Sequence, residues 1–466
     1  MWRCDRRTPV DPGLPLIPVL TPDEMAVADA AAPEPAEVLV DRAGAAVARV
    51  ALNLMGGAYG RRVVVVVGKG SNGADGRVAA SRLERRGVRT TVVDAADAPG
   101  RLPEADLVVD AAYGTGLGRS YEAPATDAPV LAVDLPSGVD GLTGEARGAP
   151  ASAQRTVTFA ALKPGLLFAD GPGLAGRVEV ADIGLDTSLA RTHLVDDDDV
   201  AHLVPTRPDD THKWANACWI VAGSVGMEGA AALAAEAAQR AGAGYVRLST
   251  LGWGEAEAPI EVVRYLVDSV PGPDHADLER FAALVVGPGL GTSEEVAEGI
   301  RRLVDGADRP LVVDGDALTA LVGTTIRPGP QAVLTPHDGE FERLAEQSPG
   351  SDRIGAVRSL AGRMGSVVLL KGPTTVVAHP DGRVLLAAAG DRRLATAGSG
   401  DVLAGILGAF LARGAGALEA AAAAAHVHGR LLDGLPATGV VAGDLSARLV
   451  DVLVALGVDG SGRTVV

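Results

Sequence analysis

A glycine-rich segment near the C-terminus, LATAGSGDVL (394–403), has residue types suited to phosphate chemistry. Gly398 and Gly400 allow a ligand to approach the backbone, and the first amides of the apolar helix predicted over 402–411 have no intrahelical partners. Because the positive end of the helix dipole lies there, the segment predicts an anion site. Asp401 would repel an anion, so it is either a helix cap, the commoner role for such a residue, or a general base.

A second glycine-rich segment, GKGSNGADG (68–76), follows the valine run RVVVVVG. Since the run has no polar face, it predicts a strand in the middle of a parallel sheet, covered on both sides. The glycines match G-x-G-x-x-G, and Asp94 ends the next strand where a ribose-binding acid is expected, which favours a dinucleotide fold. Asn72 and Asp75, however, could instead bind a ligand or an ion, or cap a tight turn before a helix predicted over 77–86.

Two further strands of the first half also end in polar loops. The strand LVVDA ends in Asp110, and the strand after it leads to Asp134 and Ser137. Because the carboxyl ends of parallel strands meet at one edge of a sheet, these loops are expected to converge. Asp110 and Asp134 are either strand-end caps or, with Asn72 and Ser137, oxygen ligands for a hard cation.

The second half of the chain alternates strands and helices, which predicts another parallel sheet with helices on both faces. A histidine such as His337 would, taken alone, more often be a structural turn residue than a catalyst. The loops after these strands carry Gly289, Asp314, His337, Lys371, Gly400 and Asp401.

The composition limits the classes of function. The 466-residue chain has a formal net charge of −17, which argues for small-molecule partners and against nucleic acid. Cys4 and Cys218 fit neither a disulfide framework nor a zinc site, which suits a reducing cytoplasm. No apolar run reaches the roughly 18–20 residues that span a membrane. We therefore expect a cytoplasmic protein without a membrane partner. A homo-oligomer is a separate expectation, on which the composition has no bearing.

A domain boundary is expected near residues 190–210. The acid run DDDD (196–199) is expected to be solvated surface or a loop, and the two prolines that follow it interrupt regular structure. The expected division is into domains 1–200 and 201–466, within the two to four domains that a size of about 100–200 residues per domain suggests for this length.

The segments LVDRAGAAVA, NGADG, DAAYGTGLGR and VDLPSGVD of the first half resemble the N-terminal domain of the bifunctional NAD(P)H-hydrate repair enzymes, which is NAD(P)H-hydrate epimerase. The resemblance implies a Rossmann-like three-layer sandwich, a potassium ion held by Asn72, Asp110 and Ser137, and Asp134 as the proton carrier. It also implies that the hydrated dinucleotide contacts Ser71, Asn72, Gly73, Ala74, Asp75, Gly114, Thr115, Gly116, Leu117, Gly118, Arg119, Ser120 and Asp134. The usual family residues are Asn where this chain has Ser71 and Gly where it has Ala74.

The segments TPHDGE, LLKGPTTVV and AGSGDVLAGI of the second half resemble the ribokinase-like (carbohydrate kinase) three-layer sandwich that acts as NAD(P)H-hydrate dehydratase. This resemblance implies ADP or ATP as co-substrate with Mg²⁺, and Asp401 as the catalytic base. It implies hydrate contacts at Ala230, Gly289, His337 and Asp401. It implies nucleotide contacts at Lys371, Gly372, Pro373, Thr374, Thr375 and Gly400.

Two other classes of protein fit parts of the chain. One is a vitamin or sugar kinase fused to a Rossmann-like domain, although the loops of the first half would have no role in a simple kinase. The other is a non-catalytic scaffold, against which the net charge of −17 and the acids Asp110, Asp134 and Asp401 argue. The sequence leaves the choice between ADP and ATP open.

Overall fold

The structure is a computed structural model that describes residues 3–4, 8–9, 15–116, 118–252, 258–275 and 277–458. Contacts divide the chain into two compact units, Met1–His193 and Leu194–Val466. None of the helices in the described ranges combines the length and the apolar character that crossing a membrane requires.

The first unit is built on a parallel sheet. Its strands are β1 (Arg3–Cys4), β2 (Thr8–Pro9), β3 (Pro15–Val19), β4 (Arg62–Val67), β5 (Arg89–Asp94), β6 (Leu107–Ala111), β7 (Tyr121–Glu122), β8 (Val130–Val133), β9 (Gly148–Ala149), β10 (Arg155–Phe159) and β11 (Arg177–Ala181). Its helices are α1 (Pro22–Ala30), α2 (Ala36–Met55), α3 (Ser71–Glu84) and α4 (Gly171–Ala175). Seven strands form the sheet in the order β1-β11-β10-β8-β6-β4-β5.

The valine run forms strand β4 and lies inside this sheet, between β5 and β6. Val63, Val65 and Val67 pack into the cluster that includes the apolar faces of α2 and α3. Val64 and Val66 pack into a second cluster on the opposite face. All five side chains are at most 2% exposed, so the expectation of a strand covered on both sides is confirmed.

The second unit also has a sheet with helices. Strand β12 (Thr192–Val195) crosses the division, and the later strands are β13 (Ala217–Ser224), β14 (Tyr245–Leu251), β15 (Val263–Val267), β16 (Ala283–Val286), β17 (Leu311–Val313), β18 (Ala332–Leu334), β19 (Val367–Leu370), β20 (Thr375–Ala378) and β21 (Val384–Ala387). The helices are α5 (Asp197–Leu203), α6 (Glu228–Arg240), α7 (Glu294–Gly306), α8 (Asp316–Leu321), α9 (Asp338–Ala345), α10 (Arg353–Met364), α11 (Ser399–Ala412), α12 (Ala417–Arg430) and α13 (Ala442–Ala455).

The order β15-β14-β13-β16-β17-β18-β19-β20-β21 combines parallel and antiparallel pairing. Strands β15 to β19 pair in parallel, whereas β19-β20-β21 is antiparallel. The expectation of a parallel sheet throughout is therefore wrong at LLKGPTTVV. Only the four residues 371–374 join β19 to β20, and a parallel crossover needs a dozen or more.

Two segments expected as loops are the first turns of helices. Helix α3 begins at Ser71 and not at residue 77, and α11 begins at Ser399 and not at residue 402. The glycine before each helix, Gly70 or Gly398, occupies the N-cap position. The small residues that indicate a flexible turn are also compatible with helix starts, and the buried faces behind them decide in favour of helix.

The acid run is not a loop either. Asp196 caps helix α5, and its side chain accepts a hydrogen bond from the amide of Asp198 while Asp199 bonds back to the amide of Asp196. Asp199 is only 2% exposed. Acids at a helix N-terminus satisfy unpaired amides and interact favourably with the dipole, so the run starts a helix. The division expected after residue 200 falls inside α5, which belongs to the second unit.

Candidate active sites

A cavity of about 860 Å³ opens at the carboxyl edge of the first unit's sheet. It is bordered by α1, α2, the first turns of α3, and the segments that follow β6, β8, β10 and β11. Nine of the sequence-predicted residues line it: Ser71, Asn72, Asp75, Gly114, Thr115, Gly116, Gly118, Arg119 and Asp134. Among the described residues, Gly73, Ala74 and Ser120 are not part of its lining, and Leu117 lies outside the described residues.

Gly73 is a packing position. A Cβ atom built on it would lie 2.0 Å from the carbonyl oxygen of Gly68, and one on Gly68 would lie 1.9 Å from that of Ala112. The start of α3 therefore rests directly on the backbone after β4. This is the close helix–strand approach for which the third glycine of a dinucleotide fingerprint is used.

Asp134 lines the cavity in a strained conformation. Its φ of 68° is in the left-handed region, which is uncommon for residues other than glycine and is often found at functional sites. Its Oδ1 atom lies 2.7 Å from Nζ of Lys163 and accepts a hydrogen bond of 3.1 Å from Oγ1 of Thr158. The second oxygen, Oδ2, faces Gly114, where an added Cβ would lie 3.1 Å away.

Lys163 is a buried cation that also lines this cavity. It is 1% exposed, and its ammonium donates to Oγ1 of Thr158 at 2.9 Å and to the carbonyl oxygens of Phe159 and Ala161 at 3.0 and 3.3 Å. A buried charge needs such compensation. Sequence analysis missed Lys163, although its position shortly after a strand end was a usable signal.

Two further carboxyl groups, Asp75 and Asp29, face the same space. Burial, with Asp134 and Asp29 nearby, raises the pKa of Asp75 to about 8 although Lys163 opposes the change. Burial also raises the pKa of Asp29, against the effect of Lys163. The cavity therefore holds an ion-paired carboxylate together with Asp75, which keeps its proton at neutral pH, and Asp29, whose pKa is raised.

The three predicted potassium ligands have oxygen atoms of the kind that an alkali cation binds. Oγ of Ser137 donates to Oδ1 of Asp110 at 2.6 Å, and the Ser137 amide donates to Oδ2 at 2.8 Å. Burial raises the pKa of Asp110, while the hydrogen bonds from Ser137 and Ala112 counteract this. Asn72 is buried, and both polar atoms of its amide have no hydrogen-bond partner among the described residues. An unsatisfied buried amide oxygen of this kind fits a cation ligand.

The second candidate site lies where β17, β19 and the start of α11 meet. Nζ of Lys371 lies 2.6 Å from Oδ1 of Asp314, which also accepts a 2.7 Å hydrogen bond from Oγ1 of Thr335. A Cβ atom on Gly400 would lie 3.4 Å from Nζ of Lys371, so the lysine reaches the glycine-rich turn. Burial lowers the pKa of Lys371, but the carboxylates of Asp314 and Glu340 outweigh burial and the net pKa is raised.

Asp401 lies in the first turn of α11. Gly398 occupies the N-cap, and no hydrogen bond joins the Asp401 carboxylate to a backbone amide in the described part of the chain. Burial and the neighbouring Asp314 raise its pKa to about 7, against the effect of Lys371. This geometry supports the general-base alternative over the capping alternative, because a base near neutrality is suited to proton transfer.

His337 caps helix α9. Its Nδ1 atom accepts hydrogen bonds from the amides of Gly339 at 3.0 Å and Glu340 at 3.4 Å, while Glu340 bonds back to the amide of His337. The side chain is nevertheless 58% exposed. The structural role favoured by the sequence is therefore present, and the other ring nitrogen, Nε2, lies 3.7 Å from Oε2 of Glu340.

Gly289 and Ala230 are close neighbours where the segment after β16 packs against the segment after β13. Gly289 has a φ of 62°, and an added Cβ would lie 2.9 Å from the Met227 carbonyl oxygen and 3.1 Å from Cβ of Ala230. Oγ of Ser224 donates to the carbonyl oxygen of Gly289 at 2.9 Å. A side chain at 289 would separate the loops after β13 and β16, so glycine is required there.

The turn 371–374 is fixed from outside by an arginine that the sequence did not suggest. Arg353 makes two hydrogen bonds to Asp338, of 3.0 and 2.7 Å, and a third of 3.4 Å to the carbonyl oxygen of Lys371. Oγ1 of Thr375 donates to the carbonyl oxygen of Gly372 at 3.3 Å. The predicted nucleotide-binding residues therefore sit in an ordered turn beside Gly400.

Comparison with known proteins covers both units. The family model described as NAD(P)H-hydrate dehydratase matches residues 218–454, and the one described as YjeF-related protein N-terminus matches 36–101 and 94–165. The bifunctional NAD(P)H-hydrate repair enzyme Nnr of Mycobacterium tuberculosis is 42% identical over 400 residues, covering 79% of this chain and 82% of the relative. The Salinibacter ruber enzyme of the same name is 36% identical over 530 residues, covering 96% and 97%. The chain belongs to this family, the bifunctional NAD(P)H-hydrate repair enzymes.

Solved structures agree with this assignment to the repair-enzyme family. The ADP/ATP-dependent NAD(P)H-hydrate dehydratase of Bacillus subtilis, co-crystallised with ATP/Mg²⁺, has a TM-score of 0.50 and 30% identity, covering 56% of this chain and 97% of that one. A ribokinase-like protein of Enterococcus faecalis, with a TM-score of 0.50 and 22% identity over 57% of this chain and 96% of that one, shares the fold. The resemblance and the fold class inferred from the motifs are confirmed.

Proposed function

We propose that this repair enzyme restores hydrated NADH and NADPH. The first unit interconverts the R and S epimers of the hydrate, and the second dehydrates the S epimer at the expense of ADP or ATP. The observation that carries the proposal is that one chain contains both sites. The first unit has a cavity lined by acidic residues at the NGADG segment, and the second has a site suited to phosphate in which Lys371 reaches the turn at Gly400.

Dehydration uses the geometry of the second site. Asp401 takes the proton from the hydroxyl group of the hydrated ring, and that oxygen attacks the terminal phosphoryl group of the nucleotide. The bridging phosphorus–oxygen bond breaks, and AMP leaves from ADP or ADP leaves from ATP. The first amides of α11 and Lys371 stabilise the negative charge during transfer. The ring nitrogen's lone pair then expels phosphate, which is a good leaving group, and forms a carbon–nitrogen double bond. Loss of a proton from the adjacent ring carbon to water restores the dihydropyridine. Mg²⁺, brought with the nucleotide, would neutralise charge on the phosphates.

Binding of the two substrates in the second unit is assigned to separate loops. The hydrate would contact Ala230, Gly289, His337 and Asp401. The nucleotide would contact Gly400 and the turn Lys371, Gly372, Pro373, Thr374 and Thr375. In support, Arg353 holds this turn beside Gly400, and the relative from Bacillus subtilis was crystallised with ATP/Mg²⁺.

Epimerisation takes place in the cavity of the first unit. The hydrate would contact the lining residues Ser71, Asn72, Asp75, Gly114, Thr115, Gly116, Gly118 and Arg119, with Asp134 as the proton carrier. Lys163 fixes the carboxylate of Asp134 in its strained position. A potassium ion held by Asn72, Asp110 and Ser137 would supply a fixed positive charge that orders these loops. We place the whole reaction in the cytoplasm, where reduced cofactors are used.

The test uses a mixture of both NADPH-hydrate epimers with ADP and with ATP in separate assays. The proposed function predicts complete return of the absorbance of the reduced cofactor with at least one nucleotide, and none without a nucleotide. A vitamin or sugar kinase would leave the hydrate untouched and release a stable phosphorylated product. A scaffold would do neither.

A further inference from the structure

Asp75 and Asp134 share one cavity but differ in their partners. Asp134 is ion-paired with Lys163 at 2.7 Å. Asp75 is 7% exposed, and among the described residues its carboxyl group has neither an ion pair nor a hydrogen bond. The carboxyl oxygens of Asp75 have no hydrogen-bond partner among the described residues, yet they are not fully enclosed. Because Asp75 lines the cavity, its remaining exposed surface faces that cavity. Asp75 is therefore presented to a ligand and not to the protein.

The position of Asp75 is held by close helix packing. It lies in α3, one turn after the residues that open the helix. Gly44 of α2 makes the approach possible, since an added Cβ there would lie 2.9 Å from the carbonyl oxygen of Asp75 and 2.5 Å from Cγ1 of Val78. A side chain on so rigid an element keeps its geometry during a reaction, as general acid catalysis requires.

The charges around Asp75 come from several elements. Asp29 on α1, Asp134 after β8 and Lys163 after β10 face it, and Glu34 and Arg119 also line the cavity. Burial is the largest cause of the raised pKa of Asp75, and the carboxylates of Asp134 and Asp29 add to it against the ammonium group of Lys163. The resulting pKa of about 8 means that Asp75 carries a proton at neutral pH. Two carboxyl groups with different protonation in one site commonly divide the roles of acid and base.

We propose that Asp75 is the general acid of the epimerase and that Asp134, ion-paired with Lys163, is its general base. This assignment rests on the proposed function of the first unit. It gives Asp75 a role in the chemistry, whereas family resemblance implies only a substrate contact.

The step is balanced without an oxidant or reductant. Asp75 gives its proton to the ring hydroxyl, the carbon–oxygen bond breaks towards oxygen, and water leaves as the ring nitrogen's lone pair forms a carbon–nitrogen double bond. Water then adds to the opposite face of that carbon, the double-bond electrons return to nitrogen, and Asp134 takes the proton of the added water. In the reverse direction the two carboxyl groups exchange roles.

The test is Asp75→Asn, compared with Asp97→Asn at an exposed aspartate of the same unit. An amide of nearly the same shape keeps a binding contact but cannot deliver this proton. We expect kcat for epimerisation to fall on the order of 100-fold with KM changed less than about threefold, and dehydration of the S epimer to be unchanged. Asp97→Asn should behave as the wild type does.

Asp75→Glu distinguishes loss of the acid from loss of the fold. It keeps a carboxyl group in the cavity, so its kcat for epimerisation should be at least about tenfold higher than that of Asp75→Asn. Equal activity of the Asn and Glu variants, or a raised KM with kcat retained in the Asn variant, would overturn the proposal. If the wild type itself does not epimerise the hydrate, the proposed function fails instead.

Discussion

Each unit contains a lysine–aspartate ion pair at the carboxyl edge of its sheet. In the first pair the aspartate is the more exposed partner, and in the second pair it is the lysine. In the first unit the Lys163 side chain is 2% exposed and that of Asp134 is 14% exposed. In the second unit Lys371 is 23% exposed and Asp314 is 4% exposed. The first pair presents a carboxylate to its cavity, and the second presents an ammonium group. Proton transfer needs the former, whereas phosphate binding needs the latter.

The enclosed member of each pair is stabilised by further hydrogen bonds. Lys163 has three additional acceptors, from Thr158, Phe159 and Ala161. Asp314 has an additional donor, Oγ1 of Thr335. Without such partners a buried charge is strongly destabilising. The comparison shows how the fold sets the chemistry of a buried ion pair. The partner that receives the additional hydrogen bonds is enclosed, and the other partner faces the site.

The largest expected effect is the loss of dehydration in Asp401→Asn. The variant keeps the first turn of α11 but removes the base, so the rate should fall on the order of 100-fold or more while nucleotide binding is retained. In the wild type the rate should rise as pH passes through about 7, where Asp401 loses its proton. The measurement is the return of cofactor absorbance, with Asp451→Asn on the exposed face of α13 as control. Near-normal turnover would remove Asp401 from the mechanism.

The next effect is on the epimer composition left by Asp134→Asn. Asparagine tolerates a φ of 68° and still offers Lys163 an oxygen, whereas Asp134→Ala also removes the partner of a buried cation. We expect epimerisation to fall on the order of 100-fold and dehydration of the S epimer to be unaffected. A mixture of hydrates should then stop part-way, with one epimer remaining. Clearance at the wild-type rate would contradict the assignment.

That assay must be short and run at equal dehydratase activity, because the hydrates also epimerise unaided. If wild type and Asp134→Asn are equally slow, we attribute the low epimerase activity of the wild type to Ser71 and Ala74. Replacing these two residues by the usual family residues Asn and Gly tests this directly. Recovery of epimerisation in that double variant would assign the loss to these two positions.

A smaller effect is expected on nucleotide affinity in Lys371→Ala. Removal of the partly exposed Lys371 side chain should raise the nucleotide dissociation constant on the order of tenfold and change the rate at saturation less, since Lys371 positions phosphate and does not carry the proton. Lys163→Ala, which alters the enclosed lysine, should leave that constant unchanged and impair epimerisation. Direct titration of each variant decides, and an unchanged constant for Lys371→Ala would show that the exposed lysine does not bind the nucleotide.

The smallest effect is on stability. The pKa of Asp401 is about 7 in the folded protein against 3.8 for the free group, so the folded state binds more protons between these values. Asp401 therefore reduces the free energy of unfolding as pH rises through that window. Asp401→Asn should gain on the order of 2 kcal/mol relative to wild type at pH 8, and little at pH 4. Urea unfolding at the two pH values measures this, and equal differences would mean that Asp401 is not desolvated.

Local sequence was sufficient for the alternation of strands and helices and for the edge of the sheet at which the chemistry lies, but it missed the first turns of α3 and α11 and the helix α5. The valine run could form only a strand buried on both faces, and the polar residues that follow the strands had to meet at one edge. Asn72, Asp75 and Asp134 do line one cavity there. Glycines that bind a ligand through the backbone were harder to predict from the sequence. Glycine serves equally for ligand approach and for close packing, and Gly73 is a packing position.

The sequence by itself determined the two α/β units, their order and the residues that resemble the repair-enzyme family, because side-chain periodicity and turn chemistry are local properties. Only the tertiary structure paired Lys163 with Asp134 and Lys371 with Asp314, and left Asp75 and Asp401 without a cation at bonding distance among the described residues. The physical reason is that ion pairing and desolvation depend on groups distant in the chain. They act over a few ångströms in space, and only packing sets those distances.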